Sequence, residues 1–381
     1  METKENLEIV LDGQGLTIEK VVAVARGVDG RYPIVSLGEK ARERITEMRK
    51  GIESLIDKEV MYGINTGAGI NRNEIVPMNN LLGYQRDYIL AHCVGSGAPL
   101  VKELVRAMML LRVNSFTFGH SGVTVELCEA ILGLLNLDVI PVIPEFGSLG
   151  ASGDLAPLAH LGAVLIGHQE TKVVYRDGLP RPTKEVFDEL GIKPLKLQPK
   201  EAMALTNGST LMLAYSCLAV YDARDLFQIA NLAVALNLEA IRGEIDAFDD
   251  RIHQARCHNG QVVAATDIRN FLEGSHRVTE EAQKVRLTPE NGKDWDRPYE
   301  KRVQDAYSVR CVPQIHGTFH DALKYLETAV EVEINAATDN PLIFAREDGG
   351  YDVLSGGNFH GDPLAVPLDT LTMCLAKISL A

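Results

Sequence analysis

With 381 residues, 46% of them hydrophobic and 24% charged, the chain can bury a large core, and its length allows two or three domains. A net charge of −14 argues against nucleic acid or an anionic membrane as a partner. Its 6 cysteines, from Cys93 to Cys374, are scattered without a Cys-x-x-Cys pair, so they read as reduced thiols of a cytoplasmic protein rather than a disulfide framework. The polar start, Met1 to Asn6, lacks the apolar core of a signal peptide, and polar breaks in the longest apolar segments argue against a transmembrane helix.

In chain order, residues 7–11 alternate and end at Asp12-Gly13, which predicts a short strand. Residues 17–26 and 36–56 predict amphipathic helices, and 102–118 and 123–135 carry apolar residues at helical spacing. Residues 172–181 predict a small hairpin turning at Asp177-Gly178. The stretch from Pro199 to Glu244 is long, apolar and nearly free of breakers after Gly208, which predicts a helix buried among others. Residues 316–337 and 362–380 predict two more. The expected architecture is mainly α with minor β and no internal repeat. A mixed N-terminal domain spans 1–200 and a long-helix bundle spans 201–381. The last residues, Ile378 to Ala381, carry no helix-ending signal, so the chain reads as stopping inside a helix.

One stretch stands out chemically: Gly147-Ser148-Leu149-Gly150-Ala151-Ser152-Gly153-Asp154, followed by Leu155-Ala156-Pro157-Leu158-Ala159-His160. Gly153 has no Cβ, so its backbone nitrogen can approach the Ala151 carbonyl closely. Closing that ring and removing water from Ser152 would leave an electrophilic methylidene on the backbone. Asp154 suits the N-cap of the following helix and Pro157 its first turn. That helix N-terminus would face a developing anion with its partial positive charge. On composition alone the stretch is an ordinary glycine-rich strand-to-helix loop.

The whole run resembles the signature of the histidine and aromatic amino-acid ammonia-lyase family, whose members convert Ala-Ser-Gly into a methylidene-imidazolone (MIO) group. The resemblance covers nearly the whole chain and implies the fumarase/aspartase-like helical superfamily. It implies MIO formed from Ala151, Ser152 and Gly153, with no metal or nucleotide. It also implies a homotetramer whose active sites mix residues from different subunits. The chemical need is clear: the β-proton of an amino acid is barely acidic, and no side chain is a strong electrophile.

Further motifs carry the same resemblance. Tyr62-Gly63-Ile64-Asn65-Thr66-Gly67-Ala68-Gly69 matches the loop bearing the catalytic tyrosine, which makes Tyr62 the base. The loop's small residues suit a closing lid, and positive charge or dipoles are expected to ease ionisation of Tyr62. In Gln304-Asp305-Ala306-Tyr307-Ser308-Val309-Arg310-Cys311, the resemblance assigns Arg310 to the substrate carboxylate, which its planar fork fits. Tyr307 and Gln304 then sit beside the prosthetic group. Asn207 resembles the asparagine that supports the electrophile's carbonyl oxygen as a donor. Phe344, after Thr338-Asp339-Asn340-Pro341-Leu342, falls where members place an aromatic against the substrate, and Gly356-Gly357-Asn358-Phe359-His360-Gly361 is a further match. Substrate choice is linked to the pair Ala91-His92, where His92 can hydrogen-bond an imidazole or a phenol. Thr210 departs from the glutamine usual in histidine-specific members.

These residues imply elimination of ammonia from an aromatic L-amino acid, L-histidine to urocanate first. L-Tyrosine ammonia-lyase or a tyrosine or phenylalanine 2,3-aminomutase are alternatives. Because family members run on past residue 381, the chain also reads as a truncated form, and an inactive helical assembly fragment is a further alternative. Other chemistries fit poorly. His316 and His320 share a helix face, but Gly317 replaces the glutamate of a zinc-protease pattern. The Gly67-x-Gly69 and Gly95-x-Gly97 pairs lack a third glycine, and Asp154 breaks the Gly-x-Ser-x-Gly pattern around Ser152.

Overall fold

The computed structural model describes residues 7–149, 152–176, 178–279, 284–285, 300–301 and 304–380. Helices dominate, with short strands between them. The chain forms two compact units, one of Met1–Leu218 with Ala329–Ala365 and one of Ala219–Thr328 with Val366–Ala381.

In the first unit, β1 (Glu8–Leu11) pairs in parallel with β2 (Ile34–Leu37), with Leu11 opposite Leu37. Helix α1 (Ile18–Arg26) starts where the Thr17 side chain accepts from Lys20 N. Helix α2 (Glu39–Leu55) begins later than its apolar spacing predicts. Residues 34–37 alternate instead, burying Val35 and Leu37 against the β1 partner strand. Helix α3 (Leu81–His92) leads into β3 (Ser96–Pro99), and α4 (Lys102–Phe116) and α5 (Val125–Asn136) follow.

Helix α4 is buried from Leu104 to Phe116, and two of the residues it takes inside are arginines. Arg106 is answered by Val24 O at 2.8 Å, Leu135 O at 3.1 Å and Asp138 Oδ1 at 2.9 Å. A buried guanidinium left without such acceptors would be costly.

Strand β4 (Val139–Pro141) pairs with β6 (Lys172–Tyr175), which pairs with β7 (Arg181–Pro182), giving the expected antiparallel pair around residue 177. Strand β5 (Pro144–Phe146) pairs antiparallel with β3 and runs into Gly147. This pairing places the chain leaving His92 beside the loop that carries Ser152. Helix α6 (Leu155–Leu165) follows that loop, then α7 (Thr183–Leu190) and α8 (Glu201–Thr206).

The predicted long helix is divided. Asn207 is extended, and α9 (Thr210–Ile241) begins after it. Close approach requires a glycine at the break: a Cβ on Gly208 would lie 2.6 Å from Arg112 Nη1 and 3.0 Å from Thr338 O. Asp154 does not cap its own helix. Its Oδ2 accepts from Leu211 N at 2.6 Å and Met212 N at 3.1 Å, so it caps α9 instead. The stretch Glu201–Ile241 is in fact long and apolar enough to cross a membrane. Most of its apolar window is buried in the protein, as befits a core helix.

The second unit contains α10 (Asp250–Arg256), α11 (Asn259–Phe271), the single turn α12 (Tyr307–Arg310) and most of α13 (Val312–Ile334). A two-residue pair, β8 (Lys284–Val285) with β9 (Glu300–Lys301), also falls in its range. Its core gathers Ala235, Leu238, Phe248, Ile268, Leu272, Val278 and Val312. Helix α13 starts earlier than predicted, with Pro313 in its first turn, where a missing N–H costs nothing. The antiparallel hairpin of β10 (Leu342–Ala345) and β11 (Tyr351–Leu354) returns to the first unit, and α14 (Asp362–Ile378) ends the chain.

Candidate active site

A cavity of about 490 Å³ opens in the first unit, and Tyr62, His92, Ser152 and Asn207 all line it. The four come from separate elements: a loop, the end of α3, the loop before α6 and the end of α8.

Helix α3 supplies one wall. Tyr84, Asp87, Tyr88, Ala91 and His92 follow the spacing of one helix face and all line the cavity. The His92 ring lies 4.4 Å from the Tyr88 ring, and its Nδ1 is 2.8 Å from Tyr88 O. A carbonyl can only accept, so Nδ1 carries the proton and Nε2 is the acceptor of the neutral ring. Burial, then the neighbouring Tyr62 and Tyr84 phenols, pushes Tyr88 well above the usual tyrosine range. Tyr84 is also raised, by burial first and then by Tyr62.

The Tyr62 loop is pinned rather than free. Met61 N donates to Asn65 Oδ1 at 2.7 Å, and Asn65 Nδ2 donates to Ile56 O at 2.9 Å and Glu59 O at 2.6 Å. Gly63 N donates to Thr66 Oγ1 at 3.0 Å and Gly67 N to Glu74 O at 2.9 Å. A Cβ on Gly67 would stand 2.6 Å from Asn71 O, so the turn closes only with glycine there. The Tyr62 oxygen accepts from Gly69 N at 3.0 Å. The positive charge expected near this phenol is not supplied by the cavity wall, where neither Lys nor Arg occurs among the described residues.

Ser152 adopts φ +51°, a left-handed conformation uncommon outside glycine. Its Oγ donates to Asn207 Oδ1. The turn is closed by Leu149 N donating to Gly153 O at 2.9 Å. Asn207 Nδ2 donates to Asn340 O at 3.0 Å and makes a longer contact of 3.5 Å with Asp339 Oδ1. Asn207 therefore offers Ser152 an acceptor, and the donor that sequence reasoning assigned to the electrophile is already engaged. Gly150 and Ala151 lie outside the described residues.

Four buried charges lie behind Ser152 and Asn207. Arg112 donates from Nη1 to Asn207 O and Thr210 Oγ1, both at 3.2 Å. Burial lowers its guanidinium to about 10. Lys200 Nζ meets Asp339 Oδ2 at 2.7 Å, and burial lowers the ammonium. Asp154, fully buried, is raised by burial and accepts from Ser148 Oγ at 2.7 Å. Thr210 is thus a buried partner of Arg112 and does not line the cavity.

The remaining predicted residues fall elsewhere. Phe344, on β10, packs its ring 4.6 Å from His120 and does not line the cavity. The phenylalanine that does is Phe359, from the glycine-rich segment after β11. Gln304, Tyr307 and Arg310 belong to the second unit. There the Arg310 guanidinium lies 4.4 Å from the Tyr307 ring, and its Nε donates to Asp305 O at 3.1 Å. Tyr307 is 71% exposed. Sequence reasoning missed Tyr84, Asp87, Tyr88 and Met203. The α3 trio could have been found from its spacing on the face shared with His92.

The arrangement fits formation of an MIO group. A strained serine precedes a buried glycine, its hydroxyl faces a cavity, and an amide oxygen holds that hydroxyl. The chain is similar to known proteins along most of its length. A sequence profile described as aromatic amino acid lyase matches residues 16–381. The histidine ammonia-lyase of Caldanaerobacter subterraneus subsp. tengcongensis is 43% identical over 373 residues, covering 98% of this chain and 68% of that protein. The crystal structure of a tyrosine aminomutase from Streptomyces globisporus matches with a TM-score of 0.86 at 32% identity, over 98% of this chain and 69% of that one. A histidine ammonia-lyase from Trypanosoma cruzi matches with a TM-score of 0.82 at 33% identity, over 97% and 65%.

Proposed function

The chain belongs to the aromatic amino acid lyase family, and from that premise we propose that it eliminates ammonia from L-histidine to give urocanate. The observation that carries this reading is the sharing of one cavity by the Ser152 hydroxyl, the Tyr62 phenol and the His92 imidazole. When formed from Ala151, Ser152 and Gly153, the MIO group supplies an electrophilic carbon that no side chain offers.

The chain's own residues supply the rest. Tyr62, its oxygen placed by the Gly69 N–H, takes the β-proton. His92 meets the substrate ring through Nε2, the acceptor left by its bond to the Tyr88 carbonyl. That acceptor suits an imidazole N–H. Phe359 takes the aromatic role that sequence reasoning gave to Phe344. Arg310, held over the Tyr307 ring, binds the substrate carboxylate, with Gln304 and Tyr307 beside the prosthetic group.

A homotetramer with shared sites would cover the exposed Tyr307. Ile229, Leu232 and Leu236 on α9 are exposed, and a neighbouring copy would bury them. Light scattering on the purified chain tests this, and a stable monomer contradicts it. A cytoplasmic location rests on the six free cysteines, which suit a reducing compartment.

The direct test is to offer purified protein L-histidine, L-tyrosine and L-phenylalanine and measure ammonium and products. The expected result is ammonium and urocanate, with L-histidine preferred. A β-amino acid product or a preference for L-tyrosine would overturn the assignment.

A further inference from the structure

We propose that the buried Lys200–Asp339 ion pair is a positioning device that turns the Asn207 carboxamide toward Ser152 and so drives closure of the Ala151-Ser152-Gly153 ring. This rests on the MIO reading of the site above.

An asparagine carboxamide has one accepting and one donating end, and only its neighbours decide which faces where. Around Asn207 the decision falls to Asn340 O, at 3.0 Å from Nδ2, and Asp339 Oδ1, at 3.5 Å. Both can only accept, so Nδ2 faces them and Oδ1 is left for the Ser152 hydroxyl. Asp339 is itself fixed at both oxygens. Oδ1 accepts from Asn340 N at 2.6 Å and Oδ2 from Lys200 Nζ at 2.7 Å. The chain of contacts thus runs from Lys200 through Asp339 and Asn207 to Ser152.

The pair is expensive for a purely structural element. The two side chains are 1% and 0% exposed, and well-packed apolar residues usually serve stability at least as well as a buried ion pair. Lys200 also sits at φ +85°, in the left-handed region that non-glycine residues avoid. It occupies the N-cap position of α8 without making a side-chain cap. Two costs meet at one residue whose ammonium donates to the carboxylate beside Asn207.

The step it serves balances as two dehydrations. The Gly153 nitrogen bonds to the Ala151 carbonyl carbon, and that carbonyl oxygen leaves as water with the amide hydrogens of Gly153 and Ser152. The second water takes the Ser152 Oγ with its hydrogen and the Ser152 Cα proton. The hydroxyl leaves from one rotamer, and Asn207 Oδ1 is the group that holds it.

The test is intact mass of freshly purified protein over time, with circular dichroism to follow folding. Wild type, Lys200→Met/Asp339→Leu and Asp339→Asn are compared. The double variant removes both charges together and leaves none unpaired. Losing a hydrogen bond to an ionised group should slow the double dehydration of the folded variants by about tenfold or more. A folded double variant that loses two waters as fast as wild type overturns the proposal. Should the double variant not fold, Asp339→Asn, which keeps the volume, is judged by the same criterion. A wild-type chain that never loses two waters refutes the MIO reading itself, which separates the two failures.

Discussion

Around Ser152 the polar groups are buried and answered within one unit, whereas in the second unit Arg310 is half-buried beside an exposed Tyr307. Asn207, Asp154, Lys200 and Asp339 all bond to residues of the first unit. In the second unit the half-buried Arg310 guanidinium lies over the ring of the exposed Tyr307. On the proposed reading, modification of the chain draws on first-unit residues, whereas substrate capture also draws on Arg310 of the second unit. The comparison separates two measurements that are usually taken as one, mass and turnover.

The sharpest break between the regions is Ser152→Ala. It removes the leaving hydroxyl, so no dehydration occurs and turnover on L-histidine disappears, while circular dichroism stays native. Retained turnover would remove the electrophile from the account. Tyr62→Phe comes next. A general base contributes about 10²–10⁴-fold, so turnover should fall by that order while the two-water loss persists. Near-normal turnover would take the base away from Tyr62.

In the second region, Arg310→Met should leave the mass change intact and raise KM more than it lowers kcat. The expected loss in kcat/KM is about ten- to hundredfold, the worth of a charge-assisted carboxylate contact. A variant that fails to dehydrate would show that the regions are not separable. His92→Leu should reduce the preference for L-histidine over L-phenylalanine by about tenfold or more, measured by competing substrates. An unchanged ranking would remove His92 as the selector.

The smallest effect concerns His316, whose Nδ1 lies 2.8 Å from Asn231 Oδ1 in the second unit. Burial pushes this imidazole down to about 4. The folded value lies below the unfolded one, so the unfolded chain takes the proton first. This contribution to stability is present above about pH 6.5 and is lost as pH falls toward 4. Thermal unfolding at several pH values should show that decline, flattened in His316→Asn. Parallel pH curves for the two proteins would contradict it.

Much of this was legible in the chain itself. Apolar spacing located α1, α4, α5, α9 and α14, and the motifs that carry the family resemblance brought Tyr62, Ser152, His92 and Asn207 forward before they shared a cavity. What escaped depends on contacts between distant residues. Asp154 has the sequence of a local cap, yet its carboxylate reaches Leu211 N because α9 begins beside it. Phe344 and Phe359 both sit in matching segments, and only the β10–β11 hairpin decides which ring reaches the cavity. The break at Asn207 was hidden because Gly208 is needed for close approach to Arg112, a residue 96 positions away. Lys200 was invisible because nothing local marks a lysine for a left-handed conformation.

The measurement that tests the account most directly is peptide mapping of the purified wild-type chain by mass spectrometry across residues 147–154. The account predicts loss of two waters confined to Ala151, Ser152 and Gly153. An unmodified peptide from folded protein would contradict it.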